Sequence, residues 1–347
     1  MNKLSRMVNN SNVSRFRSIV QILFFILIMY GGYLAIEIDK VVPVFSCPYN
    51  KATVGTCYLI SMQHQLHTTF LGLFSWMGLT FLTGLFTFIL FFVVINKSWC
   101  GYICPLGTIQ DWITKIRSAF GIRYSRYDKK SFKSLKWIKY LFLVLLIFIP
   151  LGMSNSLFGL PKFSHDIGAP FCQVCPGRTV LPLFNGDTSQ IFISFSSITS
   201  IIMSSLGMIL TGLFLVGSFY KKRFFCFLCP MSGLQYLFSR LGLLRLNKAG
   251  TLCTKCENCS RVCDIGIEAI AADLDHKFIV KDDCMMCFKC VEVCPEDECL
   301  KVRFIGLTIF KSTNEGFFKR YLGRRNLKIT KEDGKTVLLN EKQSESE

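Results

Sequence analysis

The sequence predicts an α-helical membrane protein: four transmembrane helices, arranged as two tandem two-helix repeats, with a small cysteine-rich α+β domain behind them. Three observations carry this. Four uncharged runs, 18–36, 68–96, 140–160 and 189–220, are each long enough to cross a hydrocarbon core of roughly 30 Å as a helix. Cys-Pro pairs repeat with almost one period: Cys104 and Cys229 are 125 residues apart, Cys47 and Cys175 128. From Thr251 the composition changes, and eight cysteines fall into two runs of identical spacing.

The chain has 347 residues, 51% of them hydrophobic, and a mean hydropathy of +0.39. That is too apolar for an ordinary soluble protein of this length. No small-x-small cleavage site closely follows the first run, which reads as a retained anchor. The fourth run contains SFSSITS at 194–200, so its helix is expected to start a few residues late. Orientation follows from loop charge. Residues 1–17 carry Lys3, Arg6, Arg15 and Arg17 without an acid, and residues 97–139 carry ten Lys/Arg against Asp111 and Asp128. The other two loops balance: Glu37 and Asp39 against Lys40 and Lys51, then Asp166 and Asp187 against Lys162 and Arg178. Positive loops stay in the cytoplasm, which predicts a multi-pass protein of the cell (inner) membrane with both termini cytoplasmic. Most of the net charge of +17 is thereby accounted for, and nucleic acid is not needed as a partner.

The tail carries the most specific signal. CTKCENCSRVCD places Cys253, Cys256, Cys259 and Cys263 at C-x2-C-x2-C-x3-C, and CMMCFKCVEVCP repeats the spacing with Cys284, Cys287, Cys290 and Cys294. Three closely spaced thiolates wrap one [4Fe-4S] cubane while the fourth serves the other cluster. Cluster 1 is therefore assigned Cys253, Cys256, Cys259 and Cys294, and cluster 2 Cys284, Cys287, Cys290 and Cys263. Zinc sites need only two C-x2-C pairs, and a disulfide framework would sit in the wrong compartment. Asp264 stands where proline commonly follows the fourth cysteine.

A sentence written twice dominates the rest. KSWCGYICPLGTIQDW spans 97–112 and KKRFFCFLCPMSGLQYLF spans 221–238, each with two cysteines, a proline and a later glutamine. The outer loops hold their own pairs, SCPYN with Cys47 and CQVCPGR with Cys172 and Cys175. Each repeat contains two crossings, so both copies share one orientation, related by an axis along the membrane normal. That axis would set Cys100 and Cys104 against Cys226 and Cys229 at the cytoplasmic face, and Cys47 and Cys57 against Cys172 and Cys175 outside. For the inner four, a third [4Fe-4S] cluster and reduced thiols shaping tight turns stand as alternatives. For the outer four, the alternatives are a fourth cofactor site and two disulfides. The segments after each inner motif mix apolar and basic residues and read as interfacial helices. Gln110 and Gln235 read as hydrogen-bonding partners of a cluster or quinone, or as helix caps.

The resulting domains are 1–17, a basic cytoplasmic N-terminus; 18–245, the four-helix membrane domain; 246–300, an α+β two-cluster ferredoxin-like domain; and 301–347, a polar extension. In combination, the four-helix anchor, the paired inner Cys-Pro motifs and the two-cluster tail resemble the NapH-type membrane iron–sulfur proteins. These are polyferredoxin-like electron-transfer proteins related to the membrane parts of NosR and CcoG. The resemblance implies transfer of electrons between the quinone pool and a redox partner, another iron–sulfur or cytochrome subunit. It points to a quinol dehydrogenase subunit of a respiratory reductase system more than to a stand-alone enzyme. Its alternative is an assembly factor supplying electrons to reduce a metal or thiol in a respiratory metalloenzyme. The second inner motif departs from the family, being C-x2-C-P where C-x3-C-P is usual.

Lesser signals add little. His64 and His67, with Met62 nearby, and His165 read as solvated loop residues before copper or quinone ligands. The C-x-x-C-H signature of c-type haem is absent, and Cys299 completes no motif and reads as a structural thiol.

Overall fold

The structure is a computed structural model that describes residues 13–35, 47, 49–50, 57–58, 60, 76–122, 129–154, 170–280, 284–322, 327–332 and 335–340. His64, His67, His165 and Met62 lie outside the described residues. The chain divides into a larger unit, Arg17–Leu243 with Lys281–Cys287, and a smaller one of Met1–Phe16, Leu244–Val280 and Phe288–Glu347.

The larger unit runs α1 (Val13–Tyr30), α2 (Trp76–Ile95), a π-turn (Trp99–Ile103), α3 (Pro105–Ala119), α4 (Lys129–Ser154), α5 (Pro170–Val174), α6 (Pro176–Leu183), α7 (Ile198–Tyr220), α8 (Phe224–Leu228) and α9 (Pro230–Ser239). Among the described residues, Val13–Leu34 and Ile198–Tyr220 are long and apolar enough to cross a membrane, while Leu82–Ile95 and Trp137–Ile149 are shorter apolar stretches. As expected, α7 starts late, capped by Ser197 Oγ accepting from the Ser200 N–H.

All four long helices turn large apolar side chains outward at helical spacing. Ile19, Leu23 and Ile26 do so on α1, and Leu82, Phe86 and Leu90 on α2. Leu141, Val144 and Phe148 follow on α4, then Ile202, Ile209 and Val216 on α7. Stripes of this kind are what a lipid-facing helix needs and a soluble one avoids.

The helix α3 buries Ile109 in one core with Phe25, Met29, Cys47, Val180, Leu181 and Phe214. Trp112 of α3 meets Phe25 edge-on at 4.7 Å, and Phe184 just past α6 meets Phe25 at 5.1 Å. The segment after the first inner motif thus packs against residues of the outer loops, because its apolar face finds a protein core there. Packing also crosses between the repeats: α3 lies against α7, and α9 against α2 as well as against α4 of its own repeat.

The smaller unit contains β1 (Leu244–Lys248), α10 (Asn258–Arg261), α11 (Ala269–Ala272), α12 (Lys289–Glu292), β2 (Leu300–Phe304), β3 (Leu307–Lys311), α13 (Asn314–Leu322), β4 (Leu327–Glu332) and β5 (Lys335–Asn340). An antiparallel sheet, β1-β2-β3, pairs Leu246 with Val302 and Val302 with Phe310, and these buried residues form its inner face. The β2–β3 connection is two residues, Ile305 and Gly306, both at positive φ (48° and 83°), the form that matches strand twist. The sheet therefore uses residues that the sequence reading placed in the extension, while β4 and β5 pair separately.

Candidate metal centres

The two cysteine runs of the tail fold alike. Lys255 and Glu257 have positive φ at the second and fourth positions after Cys253, and Met286 and Phe288 do so at the same offsets after Cys284. A short helix follows each loop, α10 and α12. Alternation of left- and right-handed residues turns successive backbone N–H groups inward, making a concavity for an anionic group. In the second run the Met286 N–H lies 3.4 Å from Cys284 Sγ.

Cys253, Cys256, Cys259 and Cys294, the cluster 1 set, line one cavity. Cys299 lines it too, and so does Lys248, whose Nζ donates to the carbonyls of Ile270, Ala271 and Asp273 at 2.8–3.0 Å. Burial pushes the Cys259 thiol up to about 11, with the Lys248 charge opposing it. A hydrogen bond from Cys299 pulls Cys294 down to about 7. Sequence reasoning missed both Lys248 and Cys299, since neither belongs to a motif. Of the cluster 2 set, Cys263 and Cys290 lie in the smaller unit and Cys284 and Cys287 in the larger. Asp264 is buried and pairs with Lys289 at 2.6 Å, so the residue in place of proline ties the end of the first run to α12.

The inner motifs meet as the repeat predicts. The Cys100 thiol lies within electrostatic reach of Cys104, Cys226 and Cys229. Cys104 and Cys229 are the N-caps of α3 and α9, each with proline in the first turn. Neither cysteine side chain makes a cap hydrogen bond; the Ser232 N–H goes to the Cys229 carbonyl at 3.1 Å and the Thr108 N–H to the Cys104 carbonyl at 3.1 Å. That explains Cys-Pro: proline starts the helix, and the cysteine stands at the helix's positive end.

The glutamines cross between repeats. Gln110 Nε2 lies 3.5 Å from Cys226 Sγ, and Cys100 Sγ lies 3.1 Å from Gln235 Oε1. The basic lead-ins cross as well. Arg223, three residues before Cys226, reaches Asp111, seven residues past Cys104, at 2.5 and 2.8 Å. Lys97, three before Cys100, points at Tyr236, seven past Cys229, with Nζ 5.5 Å from the ring centre. Arg17 and Gln21 also bond Asp111, at 2.6 and 2.8 Å, and both reach the Gly101 carbonyl. Two guanidiniums on one carboxylate leave positive charge beside these sulfurs, a suitable field for an anionic cluster. Gly101 sits between the motif's two cysteines with no room for a side chain: a Cβ would stand 2.6 Å from the Met285 carbonyl and 3.5 Å from Cys287 Cα. Tyr102 Oη donates to the Cys287 carbonyl at 3.3 Å.

The outer set also comes together. Cys47 and Cys172 are buried, and the Cys175 thiol is within electrostatic reach of Cys47, Cys57 and Cys172. Cys175 is the N-cap of α6, with Pro176 following. No disulfide joins the cysteines of this set. Cys47, Cys57, Cys172 and Cys175 share one cavity of about 110 Å³ with Cys100, Cys104 and Cys229.

Among the described residues, no three His, Cys, Asp or Glu side chains converge on a single metal ion. A cubane spreads its thiolates around four irons and needs a wider setting than one ion. The inner site fits such a group on a specific count: Gln235 Nε2 is buried without a hydrogen-bond partner. Turning that amide over would aim its N–H at a Cys100 thiolate, as Gln110 already aims at Cys226.

Comparison with known proteins agrees with this chemistry. Residues 70–123 and 205–248 match the 4Fe-4S binding domain family, one stretch around each inner motif, and residues 245–295 match the 4Fe-4S dicluster domain family. An uncharacterized protein of Methanocaldococcus jannaschii is 24% identical over 208 residues, 59% of this chain and 71% of that one. YccM of Escherichia coli, named as an electron transport protein, is 23% identical over 213 residues, 61% of this chain and 52% of YccM. The ferredoxin-type protein NapH of Haemophilus influenzae is 24% identical over 223 residues, 62% of this chain and 66% of NapH. No solved structure matches the chain. These relatives bear out the resemblance to NapH-type proteins, whereas the relation to NosR and CcoG rests on the motifs alone.

Proposed function

We propose that this chain, a homologue of the ferredoxin-type 4Fe-4S electron-transport proteins NapH and YccM, is a membrane-bound protein that passes single electrons between the quinone pool and a redox partner. Two [4Fe-4S] clusters in the tail and a third at Cys100, Cys104, Cys226 and Cys229 would, when bound, supply one-electron transfer. The chain's own part is to hold the thiolates, direct N–H groups and positive charge at them, and keep water away.

The observation that carries this reading is the close approach at Gly101. The segment bearing Cys284 and Cys287 touches the turn that bears Cys100 and Cys104. Tail ligands and inner thiols are thus adjacent, as a relay requires. The outward apolar stripes of α1, α2, α4 and α7 support a lipid setting, where a hydrophobic quinol is available.

The test is anaerobic reduction of the purified full-length protein by a quinol, followed by electron paramagnetic resonance. Signals of reduced clusters should appear, and Cys104→Ser with Cys229→Ser should abolish them while dithionite still reduces the tail. Stoichiometric zinc without labile sulfide would overturn the cluster reading, and failure of any quinol to reduce a loaded protein would overturn the quinone link.

A further inference from the structure

Resting on the inner site just described, we propose that Cys47, Cys57, Cys172 and Cys175 hold a further iron–sulfur cluster that faces the inner one. The larger unit is then a conduit carrying single electrons between its two faces without a mobile carrier.

The outer thiols are built as the inner ones are. Cys175 is the N-cap of α6 as Cys104 is of α3 and Cys229 of α9, each with proline next. Cys47, also followed by proline, accepts the Asn50 N–H at its carbonyl (3.1 Å), just as Cys175 accepts that of Arg178 (3.0 Å) and Cys229 that of Ser232 (3.1 Å). A cation attends the set, as at the inner site: Arg178 acts electrostatically on Cys47 and Cys172, and its guanidinium stacks 4.8 Å from the Tyr49 ring centre. Four cysteine side chains and an arginine lining one cavity suit an anionic cluster.

The two sets are also neighbours. They open on one cavity. A Cβ on Gly177, two residues past Cys175, would lie 3.8 Å from Leu106 Cδ1, two residues past Cys104. Cys47 packs in the same core as Ile109 of α3. Sites on opposite faces of a hydrocarbon layer of roughly 30 Å would be too far apart for one rapid tunnelling step. Here the half-helices α3 and α6 bring the faces together inside the protein, where irregular backbone is sheltered. Each hop moves one electron: the site that gives it is oxidised by one, the site that takes it is reduced by one, and no bond forms or breaks. A quinol or reduced cluster supplies the electron, and a one-electron redox protein at the other face accepts it.

Two measurements test this. Anaerobically purified full-length protein should hold about sixteen iron and sixteen labile sulfide, against about twelve of each without an outer cluster. Cys47→Ser with Cys172→Ser should remove the difference, with unchanged tail signals showing that the variant is folded. In sealed quinone-free vesicles, dithionite outside should bleach trapped ferricyanide through the wild type, and that bleaching should be lost in the variant. Twelve iron in the wild type, an intact mass showing two disulfides, or equal bleaching by both proteins overturns the proposal. The quinol reading is tested apart from it: bleaching without any quinol reduction keeps the conduit and removes the quinone, and the converse removes only the conduit.

Discussion

At the scale of single residues, the inner site is a set of exchanges between repeats. Each repeat supplies a cation three residues before its first cysteine and a glutamine six residues after its second, and both act on the other repeat. The roles are not equal. Arg223 is buried and forks onto Asp111, while Lys97 faces the neutral Tyr236 ring. Removing Arg223 takes from Asp111 one of its two guanidinium partners and the bonds at 2.5 and 2.8 Å, leaving those of Arg17 and Gln21. Arg223→Gln should cost about 3 kcal/mol of stability in thermal or denaturant unfolding, and Arg223→Lys should recover little, because an ammonium cannot fork. Gln235→Leu tests the other exchange. A hydrogen bond to sulfur favours the more negative, reduced cluster, so its loss should lower the inner potential by about 40 mV, the one-electron equivalent of roughly 1 kcal/mol. An unchanged potential in redox titration would reduce Gln235 to a packing residue. The glutamines were legible in the sequence as a recurrence, because repeated motifs align by eye. Their partners were not. A contact between 110 and 226 is a property of packing, and no local pattern announces it. Asp111 was read as one charge in a basic loop for the same reason.

At the scale of elements, proline is what made the helix starts visible. Cys104, Cys175 and Cys229 each precede a proline, and each caps a helix. Proline lacks an N–H and has φ already near the helical value, so it belongs in the first turn. What the pattern could not say was where those helices go. The apolar and basic mixture of α3 suits a membrane surface, yet Gln110, Thr108 and Arg117 are almost fully buried. Arg117 manages this by donating to the Phe219 carbonyl at 2.6 Å, near the C-terminal end of α7, where a cation meets the helix dipole favourably. Burial of such residues depends on a second repeat being there to receive them. The element most exposed to test is the turn at Gly101. Gly101→Ala places a methyl group against the Met285 carbonyl, which is backbone and cannot swing aside. The expected outcome is displacement of the segment carrying Cys284 and Cys287, seen as slower electron exchange between inner site and tail. Total iron should stay within about one atom of the wild type, since no ligand is touched. Unchanged exchange would show that the contact at Gly101 is not on the path.

At the scale of the whole molecule, the two halves are copies whose likeness was readable because chemistry-bearing cysteines recur with their prolines. The same likeness appears as two separate matches to one 4Fe-4S family. The crossing of α3 onto α7 and α9 onto α2 was not readable, because periodicity gives a helix its apolar face and leaves its partner open. The tail shows a similar limit. Its cluster runs were plain from spacing, whereas the sheet that closes it draws on Leu244–Lys248 and Leu300–Phe304, two ordinary alternating stretches far apart in the chain. Topology is the remaining molecular question, and loop charge answers it in advance. If the basic segments are cytoplasmic, the outer Cys-Pro loops face away from the cytoplasm and the tail lies within it. Reporter fusions after Arg178 should then give alkaline phosphatase activity and no green fluorescence, and fusions after Lys311 should give the reverse. Arg178 lies in the first turn of α6, between the second pair of long helices, and Lys311 ends β3, so the two positions sample one outer and one tail site in structured regions. A fluorescent fusion at Arg178, or an active phosphatase at Lys311, would place the tail on the other face. Electrons drawn from the quinone pool would then be delivered outside, to a partner of the opposite compartment.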